Sequence, residues 1–146
     1  MTYSLKSTIT LHNGVEMPRF GLGVFKVEDH IASDTVKLAI DAGYIAIDTA
    51  AAYRNEKGVG LGIAKSGLPR EQIFVTTKIW NADQGYEQAW AAFEKSRELL
   101  NMEVIDLLLV HWPVKGKYID TYRALEEIYE KGYVRAIGVS TSKFII

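Results

Sequence analysis

The chain has 146 residues, a formal charge of -1, 48% hydrophobic and 24% charged residues, and no cysteine. That length and composition suit one globular domain with a buried core. The near-neutral, interspersed charge gives no general electrostatic reason to bind nucleic acid or an anionic membrane, and the lack of cysteine excludes a disulfide framework, a thiolate metal site and a cysteine nucleophile. The opening Met1-Thr2-Tyr3-Ser4-Leu5-Lys6 has no apolar signal core, and no apolar run approaches membrane-spanning length. A cytoplasmic location is the expectation.

In chain order, the first feature is a hairpin over residues 8–17. Thr8-Ile9-Thr10-Leu11 and Val15-Glu16-Met17 flank His12-Asn13-Gly14, and Asn-Gly between short apolar runs is a hairpin signal because both residues tolerate positive φ. Strand-like runs follow at 20–25, 45–48, 73–78, 105–110 and 134–139, spaced by roughly the 30 residues of a βα unit. Between them lie four stretches with helical period. Ala32, Val36, Ala39 and Ile40 share a face before Gly43, and Val59 and Ile63 precede Gly67. Ala89, Ala92, Phe93, Ser96 and Leu100 form one stripe, and Tyr122, Leu125, Ile128 and Tyr129 line up before Gly132. Gly58-Val59-Gly60-Leu61-Gly62 lacks the dinucleotide spacing and reads as glycines that let helices approach closely. The sum is an α/β fold, a hairpin plus (βα)₄β, with βα units over 20–140 and a parallel sheet covered by helices. Two architectures fit: an open doubly wound sheet, or part of a (β/α)₈ barrel, which typically needs about 250 residues.

The chemistry concentrates at strand ends, where α/β folds gather reactive groups. Asp48 ends the second βα strand, Lys78 the third, and His111 follows the fourth; Tyr53 lies in the loop after Asp48. Reducing a carbonyl by hydride transfer builds negative charge on oxygen, which a proton donor must quench. Tyrosine is a weak acid on its own, and a neighbouring ammonium makes it a stronger one. Lys78 can supply that charge, Asp48 can hold the lysine, and a neutral His111 can orient the carbonyl. The hydride must come from a cofactor, because no side chain supplies one. Singly, each residue has a blander reading: a turn aspartate, a half-buried tyrosine, a solvated lysine, a packed histidine. Their ordered grouping is the signal. His12 and His30 have no partners at metal-ligand spacing, and no metal is expected.

The surrounding motifs are Met17-Pro18-Arg19-Phe20-Gly21-Leu22-Gly23, Gly43-Tyr44-Ile45-Ala46-Ile47-Asp48-Thr49-Ala50, Tyr53-Arg54-Asn55-Glu56 and Ala136-Ile137-Gly138-Val139-Ser140. In this order the chain resembles the N-terminal half of an aldo-keto reductase, closest to small bacterial members acting on glyoxals and other short aldehydes. The resemblance implies a truncated (β/α)₈ barrel of one partial domain, NADPH or sometimes NADH as cofactor, no metal, and a small aldehyde or ketone as substrate. It implies Tyr53 as the acid assisted by Lys78 and Asp48, with His111 orienting the carbonyl. Phe25, Trp80 and Trp112 look like pocket walls beside His111. Gly23, Val24, Asp48, Ser140 and Thr141 match positions near the nicotinamide end of the cofactor.

The pattern departs from the family at Thr141, where an asparagine is usual, at Ile45, where many relatives have arginine, and in a second helix about one turn short. Residues 141–146 read as an atypical tail. A five-strand segment implies self-association or a complementing C-terminal half. The alternatives are a catalytically silent half-barrel acting only in assembly, and a flavodoxin-like open-sheet binding module.

Overall fold

A two-stranded antiparallel hairpin leads into a five-stranded parallel sheet in this computed structural model, which describes residues 2–141. The hairpin pairs β1 (Thr8–Thr10) with β2 (Glu16–Pro18). The sheet and its crossovers run β3 (Leu22–Gly23), α1 (Asp29–Asp41), β4 (Ala46–Asp48), α2 (Glu56–Lys65), β5 (Phe74–Ile79), α3 (Tyr86–Leu100), β6 (Ile105–Val110), α4 (Tyr118–Glu130) and β7 (Val134–Val139). Strand order is sequential, β3-β4-β5-β6-β7, and all pairs are parallel. A doubly wound sheet reverses its order at a switch point. This sheet does not, so of the two architectures the structure selects the barrel arc.

Register explains how the strands serve two faces. Asp48 pairs with Thr76, Thr76 with Leu107, and Leu107 with Ala136; one layer higher, Lys78 pairs with Leu109 and Leu109 with Gly138. These residues share one face by the two-residue period of a strand. The lower part of that face buries Ala46, Phe74, Leu107 and Ala136 against Leu11, Val15 and Met17 of the hairpin. The opposite face sends Ile47, Val75, Ile79, Leu108 and Val110 into the main core, which the helices cover with Val36, Val59, Phe93, Leu125 and Ile128.

Local chemistry sets the helix ends. After α1, the Gly43 N–H donates to Ile40 O and Tyr44 N–H to Ala39 O, with Gly43 at φ 107°. After α4, Gly132 and Tyr133 repeat the arrangement on Tyr129 O and Ile128 O. These are Schellman motifs. α3 uses Asn101 at φ 55° for the same reversal. The glycine-rich α2 is a packing device. A Cβ at Gly58 would lie 2.2 Å from Asp29 O, one at Gly62 2.6 Å from Ser33 O, and one at Gly60 2.4 Å from Leu100 O. Glycine therefore lets α2 seat on α1 and on the end of α3.

Two details differ from the sequence expectation. The first sheet strand is only Leu22–Gly23: Phe20 and Phe25 are exposed, and Val27 N–H donates to Val24 O at 3.0 Å, closing a turn right after the strand. In the hairpin only Gly14 has positive φ, at 85°; the Asn13 side chain instead donates to Arg135 O at 3.0 Å, tying the hairpin to β7. The expected tail over 142–146 lies outside the described residues. Asp106, buried at the foot of β6, went unremarked in the sequence. It accepts from Arg70 Nη2 at 2.6 Å, Val75 N–H at 2.8 Å and Arg135 Nη1 at 3.0 Å, pinning neighbouring strands together.

Candidate active site

The site begins where β4 ends. Thr49 N–H donates to Thr76 O at 2.9 Å and extends the pairing by one residue. A single 3₁₀ turn, Ala51–Tyr53, follows, and Arg54 at φ 56° turns the chain toward Asn55 and α2. This brings the Tyr53 side chain back over the strand ends.

Lys78 stands on the inner face of β5 with 5% of its surface exposed. Its Nζ donates to Asp48 Oδ2 at 2.8 Å, to Thr49 O at 3.0 Å and, at the long end of hydrogen-bond range, to Tyr53 Oη at 3.4 Å. These acceptors match the three protons of an ammonium. The Nζ also sits 5.0 Å from the Tyr53 ring centroid.

His111 follows β6, its backbone N–H held by Ile79 O at 3.1 Å. Its ring lies 5.8 Å from that of Tyr53 and 5.3 Å from that of Trp80, edge-on in both cases. Burial, and then the Lys78 ammonium, lower its pKa from the ordinary 6.5, with Asp48 pulling the other way. The neutral ring is therefore favoured, and its Nδ1 is buried with no hydrogen-bond partner among the described residues. Phe25 packs on Tyr53 at 5.2 Å between ring centroids. Phe25, Tyr53, Trp80, His111 and Trp112 line one open cleft of about 850 Å³, with Arg54 and Asp83 at its margin. The buried Gln84 amide holds the Trp112 segment, donating to Trp112 O and accepting from Val114 N–H at 3.3 Å.

The structure thus brings Asp48, Tyr53, Lys78 and His111 to one rim, with Phe25, Trp80 and Trp112 around them. The remaining candidates occupy the same end of the sheet. Gly23 pairs with Asp48 and has open space where a Cβ would stand. Ser140 N–H donates to Val110 O at 2.9 Å and Thr141 N–H to His111 O at 3.2 Å, so both continue β7 along the rim. Val24 differs: it is fully buried, its N–H donates to Asp48 O at 3.1 Å, and its carbonyl accepts from Val27 N–H and Asn55 Nδ2. It contributes the turn rather than a free polar group. Among the described residues no group of three or more His, Asp or Glu is placed to hold a metal ion, and no helix is long and apolar enough to cross a membrane. The sequence points to no role for Thr49, Asn55 or Gln84; Gln84 stands in the polar stretch Asn81-Ala82-Asp83-Gln84-Gly85, where nothing signals its burial.

The sequential parallel arc, with helices outside and reactive groups at its carboxyl rim, defines a segment of a (β/α)₈ barrel. The sequence model of the aldo/keto reductase family matches residues 19–145, and the chain belongs to that family. It is 62% identical over 141 residues to a glyoxal reductase of Bacillus subtilis, covering 96% of this chain and 51% of the relative. An aldo/keto reductase structure from Brucella melitensis superposes with a TM-score of 0.91 at 43% identity, covering 94% of this chain and 55% of the other. A Bombyx mori aldo-keto reductase solved in complex with NADP superposes with a TM-score of 0.85 at 35% identity, covering 94% and 51%. The chain spans about half the length of the curated relatives it matches.

Proposed function

We propose that this chain carries the catalytic rim of an NADPH-dependent reductase of small aldehydes and ketones, with short dicarbonyls of the glyoxal class as the first candidates. The observation that carries this reading is the contact of one buried ammonium, Lys78 Nζ, with Asp48, Thr49 O and Tyr53 Oη at the mouth of an aromatic cleft.

A reduced nicotinamide, when bound, supplies the hydride to the carbonyl carbon. The residues on the rim fit such a ring: Gly23 leaves room at its flank, Asp48 is half exposed, and Ser140 and Thr141 carry hydroxyls at the end of β7. As negative charge grows on the carbonyl oxygen, Tyr53 Oη gives its proton, and the Lys78 ammonium stabilises the phenolate left behind. Asp48 and Thr49 O hold the ammonium in place. Neutral His111 donates a hydrogen bond that orients the carbonyl, and its lowered pKa keeps it in that form. Phe25, Trp80 and Trp112 offer apolar walls against which a small carbonyl compound packs. The product is the alcohol, and solvent restores the Tyr53 proton. We place the chain in the cytoplasm.

In this reading further strands join the sheet, supplied by a second copy or by a C-terminal half. A second reading is a silent half-barrel that acts only in assembly; Val139, 57% exposed on β7 at one edge of the described sheet, is an apolar residue such an assembly would cover. NADPH oxidation with methylglyoxal or phenylglyoxal separates the two. It is measured with the chain alone, with the C-terminal half of a relative added, and with Tyr53→Phe. Turnover that requires the Tyr53 hydroxyl supports the reductase. A folded sample inert in every mixture supports the silent half-barrel.

A further inference from the structure

We infer that Asn55 is a positioning residue for this site, the tie that keeps the pocket wall Phe25 seated against Tyr53; the inference rests on the reductase reading for its functional meaning. Asn55 is fully buried, and its whole amide is used. Nδ2 donates to Val24 O and to Val27 O, both at 2.9 Å, and Oδ1 accepts from Thr49 Oγ1 at 2.6 Å.

Those three partners belong to the two segments that form one side of the cleft. Val24 and Val27 are the ends of the turn that carries Phe25, with Lys26 between them at φ 64°. Phe25 itself is 65% exposed, so core packing does not hold it; its observed support is the Tyr53 ring, the Lys26 ammonium 5.4 Å from its ring centroid, and the turn that carries both Phe25 and Lys26. Thr49 is the residue whose carbonyl accepts from Lys78 Nζ. Asn55 follows directly on Tyr53 and Arg54 and precedes α2. One side chain therefore ties the Phe25 turn, the Lys78 acceptor and the Tyr53 loop together. An aspartate would keep an acceptor for Thr49 but present oxygens to two carbonyls, losing both donors. Valine at position 49 removes the hydroxyl and leaves the amide free to turn.

The test reads ring-to-ring nuclear Overhauser contacts in the full chain. Phe25–Tyr53 is the reporter, and the distant Trp90–Phe93 and Trp90–Tyr133 pairs, both 6.4 Å apart, report an intact fold. In Asn55→Asp the Phe25–Tyr53 contact is lost while the control pairs persist; in Thr49→Val it falls by about half or more as the amide loses an anchor. An unchanged Phe25–Tyr53 contact in a folded Asn55→Asp overturns the inference, and if that variant does not fold, an unchanged contact in Thr49→Val overturns it. Where turnover is present, the same variants raise the KM for phenylglyoxal by about fivefold or more, because a wall of the pocket is displaced. A sample without turnover bears on the reductase reading alone, since the ring contact is read without catalysis.

Discussion

Lys78 and Asp48 form an ion pair at 2.8 Å whose two members live in different media: the lysine side chain is 6% exposed and the aspartate 45%. The buried charge is the one pointed at Tyr53 Oη, and its counter-ion is the one open to water. A pair built for stability alone would gain little from burying an ammonium, since desolvation offsets most of the attraction. The arrangement makes sense if that ammonium serves Tyr53.

Lys78→Met therefore separates activity from stability. Turnover is expected to fall by about 10²- to 10⁴-fold, the range of a lost acid–base contribution. The urea midpoint is expected to hold or rise, because an apolar chain replaces a buried charge and the remaining carboxylate is hydrated. Parallel urea melts and rates check this; a large loss of stability with little loss of rate would reverse the assigned role.

His111 is expected to titrate below its ordinary 6.5. With the folded pKa lowered, the unfolded chain takes up the proton first on acidification. The contribution to stability is thus full above about 6.5 and is lost as pH falls through the lower, folded-state value. Histidine NMR titration checks the midpoint. Because the Lys78 charge is the second cause of the shift, Lys78→Met should move the midpoint up, and Asp48→Asn should move it further down.

Glu56 makes the opposite case. It is 3% exposed at the start of α2, and burial raises its pKa, with hydrogen bonds from Thr77 and Ser96 opposing. A raised folded pKa means stability that is fully present below the unfolded value of 4.5 and lost as pH rises through the folded value. Glu56→Gln should remove this slope and leave the protein as stable or more stable at neutral pH, read from unfolding midpoints between about pH 4 and 8. A variant clearly less stable at pH 8 would show that the Thr77 bond to the charged carboxylate outweighs its desolvation.

In α2, Gly58→Ala and Gly62→Ala set two effects against each other. Alanine improves helix propensity by about 1 kcal/mol. Yet the added methyl would meet Asp29 O or Ser33 O at 2.2 and 2.6 Å, and such overpacking costs about 1–3 kcal/mol or more. Because the obstacle is backbone, the clash should win, and both variants should unfold at lower urea than the parent chain.

Asp106→Asn tests the staple at the foot of the sheet. One carboxylate accepts from two arginines and a backbone N–H. An amide replaces an acceptor with a donor facing those groups, so a loss of about 1–3 kcal/mol is expected, with the cleft at the other end of the strands unaffected. Urea melts read the first part, and the Phe25–Tyr53 ring contact reads the second.

Much of this molecule is legible in the amino-acid sequence. Ala32, Val36 and Ile40 announce α1 by spacing alone, and Gly43 and Gly132 mark helix stops. Asp48, Lys78 and His111 are recognisable as site candidates because each ends or follows a strand, a position readable from local period. The glycines of α2 were legible as packing residues, though not the carbonyls they meet. The first strand reads too long because residues 20–25 form one apolar run, whereas a turn between Val24 and Val27 ends the strand and places Phe25 at the cleft, where the resemblance had put it. Asp106 was readable only as a charge inside an apolar run.

The sequence by itself therefore determined the elements, their βα alternation and the four residues at the rim, because hydrophobic period and chain position act over a few neighbouring residues. Strand period alone left an open sheet and a barrel arc both possible, and the family resemblance pointed to the arc; the tertiary structure bears that out in the sequential strand order, and it alone decided that Lys78 Nζ joins Asp48, Thr49 O and Tyr53 Oη and that Asn55 ties two loops. Those contacts join residues remote in the chain, or, like Thr49 and Asn55, brought together by a loop reversal. Their geometry follows from sheet register and the close seating of helices, which no local pattern encodes.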